Sequence, residues 1–101
     1  MWLEVQVQNP SGLHARPAAL FVRAASGFRS DIRVVNLTTG SAPVTAKSII
    51  GVLGLGVQRG HRIRLQCDGE DEGLAAETLR SLVESGLDEH ADGEAGNPRS
   101  S

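Results

Sequence analysis

Leu3, Val5 and Val7 alternate with Glu4, Gln6 and Gln8 at the start of the chain. A period of two over residues 2–8 predicts a half-buried β-strand. Asn9-Pro10-Ser11-Gly12 breaks it. From Ala15 to about Ser26 the period changes. Ala18, Phe21, Val22 and Ala25 fall at helical spacing, with Arg16 and Arg23 off the stripe. Gly27 is expected to end this helix as a left-handed C′ residue, with Phe28 folding back onto it. Ile32 and Val34 mark a second strand over 31–35, followed by the turn-rich Asn36–Gly40. Ala42–Thr45 is short and contains Pro43, which suits an edge strand. Lys47–Leu53 is a short apolar helix weakened by its glycines. Residues 62–67 alternate again, with Ile63, Leu65 and Cys67 inward. Asp68-Gly69 turns the chain. Residues 71–85 form the strongest helix, with an Ala75, Leu79, Leu82 and Val83 stripe. Glu70, Asp71 and Glu72 lie near its first turn, where negative charge is favourable, and Gly86 closes it.

The order is β-α-β-β-α-β-α. One-sided alternation in each strand means one wet and one covered sheet face. The predicted fold is α+β: an open-faced β-sandwich, with a four-stranded antiparallel sheet and three helices on one face. A chain of 101 residues has room for one such core. The domain is expected over residues 1–87. Residues 88–101 are polar and rich in Gly, Pro and Ser, and are expected to form a disordered tail.

With 40% hydrophobic and 22% charged residues the chain has the composition of a globular domain. No apolar run approaches the roughly 18 residues of a membrane span, and the N-terminus lacks a signal-peptide pattern. Cys67 is alone, which rules out an internal disulfide and a cysteine metal cluster. A reducing, cytoplasmic setting is the simplest expectation. The net charge is −2, but its distribution is uneven. Arg16, Arg23, Arg29, Arg33, Lys47, Arg59, Arg62 and Arg64 face a single acid, Asp31, between residues 9 and 65. The acids crowd beyond residue 66. A basic body suits an anionic ligand or an acidic partner. Nucleic acid is not expected: the aromatic residues are only Trp2, Phe21 and Phe28, too few for a base-stacking surface. Walker-type, metal-ligand and paired-carboxylate patterns are absent, so neither metal nor cofactor is expected.

The most informative segment is Ser11-Gly12-Leu13-His14-Ala15-Arg16-Pro17. Pro17 lacks an N–H and belongs in the first turn of a helix. That places His14 at about the N-cap, with the free N–H groups of Ala15 and Arg16 beside it. Such a terminus binds anions, phosphate above all. Arg16 adds a planar, bidentate donor. An imidazole here is a nucleophile with a preformed place for the group it captures; alternatively it is an ordinary polar cap with a solvated arginine nearby. Ser48 has two readings as well, an N-cap before Ile49-Ile50 or a phosphorylation site beside a helix terminus. Ile49, Ile50, Leu53 and Leu55 exceed the burial needs of a two-turn helix. They are core, or part of the set is a docking patch.

Gly12-Leu13-His14-Ala15-Arg16-Pro17-Ala18 resembles the active-site motif of the HPr family, the histidine phosphocarriers of the bacterial phosphoenolpyruvate:sugar phosphotransferase system. Lys47-Ser48-Ile49-Ile50-Gly51-Val52-Leu53-Gly54-Leu55-Gly56 resembles its second signature, around a regulatory serine. The two motifs stand about thirty residues apart, as in that family, and the resemblance covers residues 2–87, including the element order. It implies that His14 is phosphorylated at Nδ1 by enzyme I and passes the group to enzyme II A components. Arg16 would steady the phosphoryl group, Ser11 would help cap the helix, and Ala15 would lie in the helix-terminal phosphate site. Arg23, Lys47, Ile49, Ile50 and Leu53 would form the partner-binding face of a monomer. Ser48 would be the target of an HPr kinase/phosphorylase where the host has one. That links the chain to carbon catabolite regulation through a transcription factor. A carrier for another acceptor, such as a dihydroxyacetone kinase or a nitrogen-related chain, is the alternative. A purely regulatory module is disfavoured by His14 and Arg16 together. The implied activity is that of a carrier rather than an enzyme.

Overall fold

The computed structural model describes residues 1–89. Its elements are β1 (Trp2–Gln6), α1 (Ala15–Ser26), β2 (Asp31–Asn36), β3 (Val44–Thr45), α2 (Ile49–Gly54), β4 (Arg62–Asp68) and α3 (Glu72–Glu84). The strands form one antiparallel sheet in the order β1-β4-β2-β3. The expected fold class is the observed one. Leu3 pairs with Leu65, and Val34 with both Leu65 and Val44. This register puts Val5, Ile32, Val34, Ile63, Leu65 and Cys67 on one buried face. Phe21 and Ala25 of α1, Val52 of α2, and Leu79 and Val83 of α3 complete the core. Fully burying a Val, Leu, Ile or Phe side chain contributes roughly 1.5–3 kcal/mol. The opposite face carries Trp2, Glu4, Arg33 and Arg64.

Helix ends depart from expectation in one place. Gly27 is the C-cap of α1 with φ −79°, so it is right-handed rather than a left-handed C′ residue. The helix tightens instead: the N–H groups of Gly27 and Phe28 donate to Ala24 and Ala25, three residues back. Gly86, in contrast, has φ 94°. Its N–H donates to Val83 and that of Leu87 to Leu82, the Schellman pattern. Leu87 is consequently buried as the last core residue.

The tail is expected to be disordered from Asp88 onward, but Asp88 and Glu89 have defined positions and partners. The rest of that expectation, 90–101, lies outside the described residues.

The surplus basic side chains on and beside the sheet are largely paired. Arg62 and Arg64 both reach Glu4, Arg33 reaches Asp31, and Arg29 reaches Glu70. Exposed pairs of this kind contribute little to stability. Here they cancel charge that the sequence leaves unassigned. Arg64 also lies 4.8 Å from the centre of the Trp2 ring.

Asp71 joins the start of α3 to the start of β2. Its carboxylate accepts hydrogen bonds from the N–H groups of Arg29 and Ser30 and from the Ser30 hydroxyl. These bonds, the Ser30 hydroxyl first, hold its carboxyl down to about 2. An ionised carboxylate that is better bound in the folded state stabilises above the unfolded carboxyl range near 4. That contribution is lost as pH falls from about 4 through about 2. Asp71→Asn is therefore expected to unfold at lower urea than wild type at neutral pH. The gap should narrow below pH 4, as urea midpoints across pH 2–7 will show.

Candidate functional site

The turn that precedes α1 is built from the backbone. The N–H of Gly12 donates to the Asn9 carbonyl at 3.1 Å, closing a β-turn with Pro10 at its second position. The next N–H, of Leu13, donates to the Val57 carbonyl at 3.0 Å. Gly12 has φ 61°, and a Cβ there would lie 2.3 Å from the Val57 oxygen. Only glycine permits that approach. Leu13 is fully buried and anchors the turn in the core.

His14 is then the N-cap of α1, in extended conformation at φ −131° and ψ 163°, with no side-chain cap bond. It is partly exposed. Ala15 follows at φ 51°, a left-handed value in a residue that bears a Cβ. Such a residue costs roughly 1–2 kcal/mol, a strain held by the Leu13 anchor on one side and buried Pro17 on the other. No local pattern announces it, because alanine is a poor choice for that conformation. The first helical bond runs from the Ala18 N–H to the His14 carbonyl. The N–H groups of the two residues between His14 and Pro17 thus have no carbonyl within the helix to bond.

Arg16 is exposed, and its guanidinium donates to the Asp88 carboxylate at 2.9 Å. The resemblance implies that Ser11 helps cap α1, but its polar groups turn to Glu89 instead. Its N–H and hydroxyl donate to the two oxygens of Glu89 at 2.8 and 2.7 Å. Asn9 Nδ2 donates to the same carboxylate and to the Gly12 carbonyl, both at 3.0 Å. These donors, Asn9 first, hold the Glu89 carboxyl below its ordinary range. Asn9, Asp88 and Glu89 are the residues that sequence reasoning missed. The one signal available was coarse, a basic body facing an acidic C-terminal third. The chain reaches this position through three successive left-handed residues, Gly86, Leu87 and Asp88, at φ 94°, 51° and 62°.

The second motif forms α2. Ser48 is its N-cap, and the hydroxyl oxygen accepts from the Gly51 N–H at 3.1 Å. The Lys47 ammonium is not projected to a partner. It donates to the Phe28 carbonyl at 2.7 Å and ties α2 to the loop after α1. Ile50 is 81% exposed, with Ile49 and Leu53 about half as much, whereas Leu55 is core. Arg23 is exposed in the last turn of α1, the helix against which α2 packs. Cys67 is inward as expected, and burial pushes its thiol up.

The structure thus places an imidazole at the N-cap of α1, an arginine two residues on, and an exposed apolar patch on the neighbouring helix. The family described as the PTS HPr component phosphorylation site matches residues 3–85. The phosphocarrier protein HPr of Streptomyces coelicolor is 45% identical over 85 residues, 84% of this chain and 89% of that protein. The crystal structure of HPr-C-His from Thermoanaerobacter tengcongensis superposes with a TM-score of 0.83. It is 42% identical and covers 89% of this chain and 98% of its own. The chain belongs to the HPr family. It also resembles part of larger proteins: the multiphosphoryl transfer protein of Haemophilus influenzae is 43% identical over 84 residues, 83% of this chain but only 17% of that protein.

Two outcomes test this geometry. Gly12→Ala is expected to cost about 2–4 kcal/mol in urea unfolding, from left-handed strain and the clash with Val57 together. Ala15→Gly removes one strain but adds chain entropy. It is expected to raise stability by up to about 1 kcal/mol in the same assay.

Proposed function

We propose that the chain is a phosphocarrier of the phosphotransferase system that takes a phosphoryl group on His14 and gives it up to a downstream acceptor. The observation that carries this reading is the place of His14: the N-cap of a helix whose first N–H groups lack helical partners, with Arg16 two residues on. The donor is phosphorylated enzyme I, and the acceptor is a histidine of an enzyme II A component.

Phosphoryl transfer requires little covalent machinery, chiefly positioning and charge stabilisation. The Nδ1 lone pair of neutral His14 attacks phosphorus in line with the leaving nitrogen. A new N–P bond forms as the donor P–N bond breaks and its electron pair returns to the donor ring. The His14 Nε2 proton stays in place. The free N–H groups of α1 and the Arg16 guanidinium face the charge carried on the three phosphoryl oxygens. The return step is the same reaction towards the acceptor. Ile49, Ile50 and Leu53 supply apolar contact, and Arg23 the charge that suits brief docking on an acidic rim.

Ser48 is the regulatory site in this reading. Its hydroxyl caps α2, so a phosphate there stays beside a helix terminus. It also places a double negative charge at the edge of the Ile49–Ile50 patch, which opposes docking of an acidic partner.

Incubation with phosphoenolpyruvate and a bacterial enzyme I is expected to add one acid-labile phosphoryl group, read by intact mass. His14→Ala should abolish it. Arg16→Ala should slow it by about tenfold or more, the scale of one lost charge-stabilising donor. Unchanged phosphorylation of His14→Ala would overturn the reading.

A further inference from the structure

The carrier reading leaves one feature of the site unused. Asp88 and Glu89 are adjacent residues, and their carboxylates hold the two groups that flank His14 in sequence. Glu89 takes the N–H and hydroxyl of Ser11, three residues before it, and Asp88 takes Arg16, two residues after. Since consecutive Cα atoms are about 3.8 Å apart, the pair spans the passage from turn to helix. We propose that Asp88 and Glu89 form an anionic clasp across the start of α1, positioned to compete with the phosphoryl group for the donors beside His14.

Three observations favour a clasp that opens over a fixed structural tie. Asp88 and Arg16 are both largely solvent-exposed, so their contact is screened by water, weak and easily broken. Glu89 also lines an open groove of about 550 Å³ beside β1 and the end of α3, with Gln6, Val83 and Glu84. Its carboxylate therefore has space to leave without unpacking the core. Finally, the turn that delivers the clasp is left-handed at Leu87 and Asp88, neither of them glycine. Release of residues 88 and 89 relieves the second of these while Leu87 stays buried.

A phosphoryl group on His14 brings nearly two negative charges close to two carboxylates. Like charges repel, and Arg16 cannot serve both partners fully. The empty carrier is thus closed by its own acids, and the loaded carrier opens them. The clasp raises the free energy of the phosphorylated form, which favours passing the group onward.

This inference rests on the proposed site at His14, and its test separates the two. The full chain is phosphorylated chemically with phosphoramidate. The P–N bond breaks, ammonia leaves with the imidazole N–H proton, and the N–P bond forms on His14. The Ser11 amide is followed by ¹⁵N–¹H spectroscopy. The amide is expected to move on phosphorylation in the direction that Glu89→Gln moves it in the unphosphorylated chain. In exchange with phosphorylated enzyme I, the Asp88→Asn/Glu89→Gln double variant and a truncation after Leu87 should both shift the ratio of loaded to empty carrier. The expected shift is about threefold to tenfold towards loaded, the size of one or two solvent-screened charge interactions. A Ser11 amide that stays in place on phosphorylation overturns the clasp. So does a ratio that is unchanged or falls in both variants. If enzyme I transfers nothing while the phosphoramidate shift is seen, the proposed donor fails and the clasp stands.

Discussion

The position of His14 depends on a backbone contact made two residues before it. The Gly12 Cα lies so close to the Val57 carbonyl that no side chain fits between them, and Leu13 donates to that same oxygen. Val57 belongs to the loop between α2 and β4. A second anchor in that loop is the Leu55 carbonyl, which accepts from Nδ2 of buried Asn36, while His61 Nδ1 lies 3.2 Å from the same Nδ2. Asn36 Oδ1 in turn accepts from Thr38 and Thr39. The start of α1 is thus fixed to β2 and β4 through main-chain atoms and one buried amide. The flexible side chains of the site, Arg16 above all, are added to a frame that does not need them.

This division of labour suits a group that is held briefly. In the proposed function the fixed donors are backbone N–H groups, which need no reorganisation when an anion arrives. The adjustable partner is an arginine at the surface, whose ion pair with Asp88 is screened and weak. Electrostatics elsewhere is kept quiet. The arginines of the outer sheet face are matched by Glu4 and Asp31, so positive charge is not spread evenly over the molecule. On the α1–α2 side, Arg23 and the exposed Ile49, Ile50 and Leu53 leave a surface that is both apolar and basic.

Much of this was legible in the sequence where local pattern decides the structure. Alternation marked the strands because one face of the sheet is wet, and Pro17 marked the start of α1 because proline tolerates few other places. Of the two readings of Ser48 the cap is the one the structure displays, and part of the Ile49–Leu55 set is exposed. What was lost depends on long-range geometry. Nothing near Asp88 or Glu89 shows that they return to Ser11 and Arg16, more than seventy residues away in sequence. A polar run after a helix has the same composition whether it is bound or free. Ala15 hides its left-handed backbone behind an ordinary side chain. Lys47 and Gly27 misled for a related reason: each has a common role, and the local fold gives it another.

The strand order carries a consequence for synthesis. β1 has a single neighbour, β4, and β4 also separates β1 from β2. When the first strand leaves the ribosome, none of its partners exists, and it stays unpaired until residue 68 has emerged. Only the β2–β3 pair, α1 and α2 can form earlier, and they lack the strand that joins them. Such non-local pairing makes folding late and cooperative. A nascent chain halted between β3 and β4 leaves both β1 and β2 without their shared neighbour, a state open to aggregation and to chaperones.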